Sequence, residues 1–410
     1  MKKLLLLTHV NPFSGQSGQA QRVRYTLQAL QQHFNVHLVY GTYAEKEKQH
    51  FLNDGVKNSF SGTASVITSR RHFGHYLGAL FSEYFIGLKS SNYFIARLFG
   101  YRHLQHHVRL SDYDVVFFEY WHAYKTAQLI RRYHPNITTI CDTHNILSAT
   151  YSLYVNAHPV KKLFPTWFKK RYSHVEFRVA LPSFQYIVAI NLAEYDTLVH
   201  AFNSETVWYC PMGVDLSLFA QAAPYAPNKP FVVLYYGGLG SQHNQQAAVE
   251  VYKTFVEPAV NQGLNVKYKI VGSNPPAHFV QQFNSDVVSV IGYCSSLTDA
   301  FAGVSLAIIP WKGKYGFRSR LIELSACGIP IFTSADAVWG MGYTHQTNAY
   351  IFDSMDADAY KFFTGLYQNS DDLLAVSKAA SRFVNEQYAY ENTYLAFSQK
   401  LQQQIAAAPH

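Results

Sequence analysis

Short apolar runs separated by helical patterns organise the first half of the chain. KLLLLTHV (3–10), NVHLVYG (35–41), DVVFFEY (114–120), ITTICDTH (137–144), YIVAIN (186–191) and TVWYCP (206–211) each have the length and content of a buried strand. Between the first two, GQAQRVRYTLQALQQHF (18–34) carries apolar residues at helical spacing. Strand, helix, strand is the signature of a parallel sheet covered on both faces. SLFAQAAPYAPNKP (217–230) then breaks the pattern with three prolines and reads as an interdomain linker. A second set follows: FVVLYYGG (231–238), a helix over 244–260, VKYKIVG (266–272), VVSVIG (287–292), VSLAIIP (304–310) and IPIFTS (329–334), with a helical tail over 371–405.

The pattern predicts two consecutive Rossmann-like parallel α/β domains, 1–216 and 231–385, joined by the 217–230 linker. Residues 386–410 are expected as a C-terminal helix packing back on the N-terminal domain. A chain of 410 residues is long enough for two cores. MKKLLLLTHVNP mimics a signal peptide, but its apolar stretch ends at His9 without a small-residue cleavage site, so it reads as a first buried strand. No apolar run reaches the roughly 18–20 residues of a membrane span. YLGALFSEYFIGL (76–88) is interrupted by Glu83.

Charge narrows the partners. A formal charge of +8 suggests an anion: phosphate, nucleotide, nucleic acid or an acidic membrane surface. Nucleic acid is disfavoured because the basic residues are dispersed and no recognition motif appears. Two segments, SRRHFGHYLGALF (69–81) and VKKLFPTWFKKRY (160–172), interleave Lys and Arg with aromatic rings. Such segments suit an anionic membrane surface, where each basic residue contributes roughly 1 kcal/mol, and equally suit solvated helices with their aromatics in the core. Four cysteines at wide, irregular spacing fit reduced thiols in a cytoplasm.

Ligands of parallel α/β sheets bind beyond the carboxyl ends of the strands. The first half places His9, Gly15, Gly18, Glu119, Asp142, His144 and Asn191 there; the second places Gly237, Gly238, His243, Asn244, Gly272, Ser273, Arg318, Arg320 and Glu323. GQSGQA lacks the dinucleotide spacing and no acidic residue ends the second strand, which disfavours a dehydrogenase. YYGGLGSQHNQQA (235–247) is a glycine-rich turn opening a helix, suited to bringing backbone N–H groups near a phosphate. Arg318 and Arg320 fall at the start of a further helix, where two cations are unfavourable unless an anion binds. The competing reading of Arg320 and Glu323 is a surface ion pair contributing a few tenths of a kcal/mol. No Asp-x-Asp pair ends a strand, and DADAY (356–360) reads as solvated helix surface, so no metal is expected.

DTHN (142–145), PMGVDLSLF (211–219), YYGGLGSQHN (235–244), the Ser17–Gly18 turn and above all GFRSRLIELSACGIPIF (316–332) resemble the retaining glycosyltransferases of family 4, within the subgroup with a Gly-x-Arg-x-basic-x-x-Glu donor motif. The resemblance implies the GT-B architecture, two Rossmann-like domains facing across a cleft. It implies transfer from a nucleotide-sugar donor to a glycan or lipid-linked acceptor, without a cofactor. With the missing Asp-x-Asp pair, the cysteine spacing and the two basic aromatic segments, the expectation is a metal-independent cytoplasmic enzyme that can be peripheral on the inner face of a membrane. Gly18 would approach the donor diphosphate or the reacting sugar, Arg318 and Arg320 would hold the diphosphate, Glu323 the ribose, and His144 would act at the reaction centre. Gly237, Gly238, Tyr315, Gly316 and Phe317 complete the implied donor-binding set. Two positions depart from the family pattern: Tyr315 replaces a second glutamate, and Gly238 and His243 replace an Arg and a Lys. Those departures keep open a non-catalytic nucleotide-sugar-binding scaffold, and the implied architecture, which such enzymes share, keeps open a sugar-nucleotide epimerase.

Overall fold

The computed structural model describes residues 1–14, 17–56, 60–220, 225, 230–283, 286–294 and 296–407. Gly15 and most of 217–230 lie outside the described residues. The chain divides into two compact units. The first comprises Met1–Met212, Tyr315–Phe317 and Thr393–His410; the second comprises Gly213–Lys314 and Arg318–Asn392.

Among the described residues, the first unit holds a seven-stranded sheet of β1 (Lys3–Thr8), β2 (Asn35–Thr42), β3 (Thr63–Thr68), β4 (Val115–Glu119), β5 (Thr138–Asp142), β6 (Tyr186–Ala189) and β7 (Val207–Tyr209). The spatial order is β3-β2-β1-β4-β5-β6-β7 and every pairing is parallel. The unbroken apolar run of β1 follows from this placement, because Leu4 to Leu7 are covered on both faces. Growth reverses direction between β1 and β4, which opens a crevice at their carboxyl ends.

Ser17 caps the helix Gly18–His33 by accepting the Ala20 N–H at 3.1 Å, leaving Val23, Leu27 and Leu30 buried on its inner face. The C-terminal helix Ala396–Ala407 packs on the same unit. Its Ser398 hydroxyl donates to the Ala29 carbonyl at 2.8 Å, and Phe397 meets Phe117 and Trp208 edge-on.

The second unit holds a six-stranded parallel sheet among the described residues: β8 (Phe231–Tyr236), β9 (Val266–Val271), β10 (Val288–Ile291), β11 (Leu306–Ile309), β12 (Ile331–Ser334) and β13 (Tyr350–Phe352), in the order β10-β9-β8-β11-β12-β13. Phe255, Phe332, Phe352 and Phe363 form the aromatic centre of its core. The direction reverses here between β8 and β11, so Gly237 and Trp311 flank the crevice. Among the described residues no helix is long and apolar enough to cross a membrane.

Candidate active site

In the first unit, β4 and β5 end on Glu119 and Asp142, and the chain turns sharply after each. Tyr120 has φ +72° and ψ 154°, a conformation normally confined to glycine, and His144 has φ +55°. Strain of roughly 1–3 kcal/mol at such positions persists only where the surroundings enforce it. Here the Tyr120 N–H donates to the Asp142 carbonyl at 2.8 Å and the His144 N–H donates to Asp142 Oδ1 at 3.2 Å. The two rings then stack, with centroids 4.1 Å apart at 13°. His144 Nε2 bonds to Glu119 Oε2.

Asp142 is itself held by Arg22, one helical turn beyond Gly18. Arg22 Nε donates to Asp142 Oδ2 at 2.7 Å, and its Nη2 donates to Asp142 Oδ1 at 2.9 Å and to the Cys210 carbonyl at 3.0 Å. Glu119, Asp142 and His144 have the donor types and closeness of a metal site. Of these three, Asp142 is already ion-paired with Arg22. His9 and His122 complete the buried group, 5.6 Å apart between ring centroids. Burial, and then the nearby His144, lower His9 to about 4; burial holds His122 well below its usual range. Both rings are therefore neutral at neutral pH. Burial raises Glu119, opposed by His144.

Tyr315, Gly316 and Phe317 belong to the first unit. Asn191 Nδ2 donates to the Gly316 carbonyl at 2.7 Å, and the Gly316 N–H donates to Glu194 Oε1 at 2.8 Å. Glu194 also accepts the Ile146 N–H at 3.2 Å. Burial pushes the Glu194 carboxyl up to about 7, against these hydrogen bonds. A raised native value means its contribution to stability is complete below the ordinary 4.5 and is lost as pH rises through about 7. We expect the melting temperature of the native protein, relative to Glu194→Gln, to fall by a few degrees across that window. A difference that stays flat from acid to neutral pH would contradict the assignment.

In the second unit, Trp311 is the centre of a cationic cluster. The Arg318 guanidinium lies 3.6 Å from its ring centroid and that of Arg320 5.8 Å, while His243 meets it edge-on at 4.6 Å. Burial, then Arg320 and Arg318, lower the His243 pKa. Arg318 is the N-cap residue of the helix Ser319–Ala326, and no side chain caps that end or the end of Gln242–Val251. Arg320 Nη1 donates to the Tyr236 carbonyl at 3.0 Å, and the Tyr236 hydroxyl donates to Glu323 Oε2 at 3.1 Å.

The turn after β8 accommodates this approach because it is glycine. A Cβ on Gly237 would lie 2.5 Å from Arg320 Nη1, and one on Gly272 would lie 1.9 Å from the Gly237 carbonyl oxygen. Asn244 Nδ2 fixes the Gly238 carbonyl at 2.8 Å, and the Leu239 N–H donates to the Ser273 carbonyl at 2.8 Å.

The structure therefore brings Gly237, Gly238, Arg318, Arg320 and Glu323 together within the second unit. It places Gly18, His144, Tyr315, Gly316 and Phe317 in the first. Trp311 and Arg22 were not singled out by sequence reasoning. Trp311 directly follows the strand and Pro310 at the sheet's reversal point, and Arg22 is a cation on the buried face of an amphipathic helix.

Residues 230–362 match the family model for Glycosyl transferases group 1. No curated protein matches the chain. Among solved structures, sucrose-phosphate synthase from Thermosynechococcus elongatus aligns over 100% of both chains at 16% identity, with a TM-score of 0.69. HepE of Anabaena, in complex with UDP and glucose, aligns over 100% of both at 13% identity and a TM-score of 0.62. WaaG, a glycosyltransferase involved in lipopolysaccharide biosynthesis, aligns over 99% of this chain and 100% of its own at 11% identity and a TM-score of 0.63. The likeness shows the fold, the two parallel α/β sheets of GT-B proteins. With the group 1 domain carried on that fold, the chain is a glycosyltransferase.

Proposed function

We propose that the enzyme is a family 4 transferase of the Gly-x-Arg-x-basic-x-x-Glu subgroup. In this reading it moves a sugar from a nucleoside-diphosphate donor to a glycan or lipid-linked acceptor at the inner face of a membrane, with retention at the anomeric carbon and without a metal. The convergence of Arg318, Arg320 and His243 on Trp311, beside two helix N-termini, carries the reading. The UDP bound by the Anabaena neighbour supports a nucleotide donor.

Charge grows on the diphosphate as the glycosidic bond breaks. Preorganised guanidinium groups and backbone N–H groups stabilise that charge as a divalent ion would, without reorganisation. Glu323, buried and bonded to Tyr236, is assigned to the ribose hydroxyls. Gly18 and the Tyr315–Phe317 segment are assigned to the diphosphate and the transferred sugar. His144 is assigned to the sugar, oriented by the Glu119 bond and the Tyr120 stack, so that a polar ring edge meets a hydroxyl as charge develops at the anomeric carbon.

The test is nucleoside-diphosphate release from a panel of sugar nucleotides with glycan and lipid-linked acceptors, in EDTA, with the product anomer read by NMR. Turnover should survive chelation, and His144→Ala should lower kcat by roughly 10²-fold, at the low end of the contribution of a positioned polar catalytic group. The affinity for free nucleoside diphosphate should be unchanged in that variant. Loss of turnover in EDTA, restored by Mg²⁺ or Mn²⁺, would overturn metal independence. Normal turnover of His144→Ala would move the reaction centre elsewhere.

A further inference from the structure

The first unit exposes a concentrated apolar face that the reaction does not use. On the helix Phe73–Phe81 and the turn after it, Phe73, Leu77, Phe81 and Phe85 recur every four residues, and all four are exposed, Phe73 by 78% and Phe85 by 64%. A second group, Leu163, Phe164 and Trp167, is exposed by 66%, 66% and 47% at the start of the helix Pro165–Val175. An isolated exposed phenylalanine is ordinary; a run of them along two helical segments marks an interaction surface.

A buried polar hub ties the two segments together. Glu83, on the inner side of the first segment, bonds to the Tyr154 and Ser90 hydroxyls and lies 3.3 Å from Lys161 Nζ. Lys161 is fully buried and also donates to the Tyr151 hydroxyl at 2.9 Å and to the Leu88 carbonyl at 3.4 Å. Glu83 and Lys161 thus turn inward to one another, while Phe73, Leu77, Phe81, Phe85, Leu163, Phe164 and Trp167 face solvent.

Charge identifies the occupant. Residues 147–175 contain no aspartate or glutamate, and 69–86 contain only the buried Glu83. Arg70, Arg71, Lys162, Lys170 and Arg171 are exposed around the rings. The Arg171 guanidinium lies 5.7 Å from the Trp167 centroid, and that of Arg71 lies 4.8 Å from the rings of both Tyr43 and Phe94, so cations sit directly against aromatic surface in both segments. Apolar rings ringed by lysine and arginine, without acids, match the boundary between acyl chains and anionic headgroups.

We propose that this face is the docking surface for an anionic lipid bilayer, with Phe73, Leu77, Phe81, Phe85, Phe164 and Trp167 inserted at the headgroup boundary and the basic residues on lipid phosphates. The inference rests on the membrane-side reading of the proposed function, yet it is tested without turnover. The full chain is floated with vesicles of phosphatidylcholine alone and of phosphatidylcholine with phosphatidylglycerol, at low and high salt. It should bind the anionic vesicles, and high salt should weaken that binding.

Lys162→Glu/Lys170→Glu should reduce partitioning by on the order of ten-fold or more, and Phe73→Ser/Phe164→Ser should reduce it at either salt concentration. Donor affinity and melting temperature, measured on the same samples, should stay at wild-type values in both variants. Binding that ignores lipid charge, or equal binding by the variants, overturns the proposal. A wild-type dimer in sedimentation that dissociates in the phenylalanine variant, without vesicle binding, would assign the face to a second copy and overturn it too. Neither outcome bears on the donor site, whose failure would appear in the affinity measurement instead.

Discussion

Exchanging Asp142 for alanine should destabilise the first unit by about 3–5 kcal/mol, a large part of the stability of an ordinary domain. Both members of the Arg22–Asp142 pair are almost completely buried, with side-chain exposures of 1% and 2%. Burial by itself would favour loss of the Arg22 proton, but Asp142 more than offsets it and the guanidinium stays charged. Removing the carboxylate leaves that charge inside the unit with, among the described residues, the Cys210 carbonyl as its remaining hydrogen-bond acceptor. The turn holding His144 also loses its Oδ1 acceptor. Urea denaturation should show the change as a lower midpoint with an unaltered slope.

The control is Arg22→Met/Asp142→Val, in which no charge remains buried. It should recover most of the loss, because a buried pair replaced whole by apolar side chains is often close to neutral. If Asp142→Ala costs less than about 1 kcal/mol, or the double variant is the weaker of the two, the pair does not anchor this turn.

The legible parts of the fold were those with one physical meaning. β1, β4, β5 and β11 are buried on both faces, and their short, β-branched or apolar runs read as inner strands of a parallel sheet. β3, with the sequence TASVIT, was missed because it is an edge strand, mostly half-exposed and rich in hydroxyls. β13 has only three residues, too few for a period to register. The segments 69–81 and 160–172 gave two readings, core aromatics or surface aromatics, because composition is the same in both. The structure divides them, with Phe168 and Tyr172 in the core and Phe73, Leu77, Phe81, Phe164 and Trp167 exposed, a division set by tertiary packing such as the Glu83–Lys161 contact.

The same distinction runs through the site. Arg318, Arg320 and Glu323 fall within six consecutive residues, so their spacing alone joined them. Glu119, Asp142 and His144 could be collected as strand-end residues, but their pairing depends on β4 and β5 being neighbours. Arg22 lies 120 residues from its partner and sits on a helix face that otherwise reads as ordinary core. In the sequence Trp311 is a tryptophan just after a strand, and nothing in its spacing sets it apart from packing material. What makes it a platform is the arrival of two guanidinium groups from the following helix.

Removing Arg318 and Arg320 together should weaken nucleoside-diphosphate binding by about 10²-fold or more, since charge-assisted hydrogen bonds contribute on the order of 1.5–3 kcal/mol each. The two positions are not equivalent. Arg320 also holds the Tyr236 carbonyl, so Arg320→Ala loosens the turn after β8 as well as losing charge, and should cost about 1 kcal/mol of stability besides affinity. Arg318 stacks on Trp311 at 3.6 Å, and a planar guanidinium is what that geometry requires. Arg318→Lys keeps the charge but gives up the stack and the paired N–H groups, so it should recover only part of the loss caused by Arg318→Ala. Trp311→Ala should resemble Arg318→Lys more than wild type, because it frees the guanidinium to sample other rotamers. Calorimetry with UDP and other nucleoside diphosphates separates these cases, and circular dichroism on the same samples shows whether the second unit remains folded. Wild-type affinity in a folded double variant would remove the diphosphate from this cluster, and the cations around Trp311 would then serve the packing of the helix start alone.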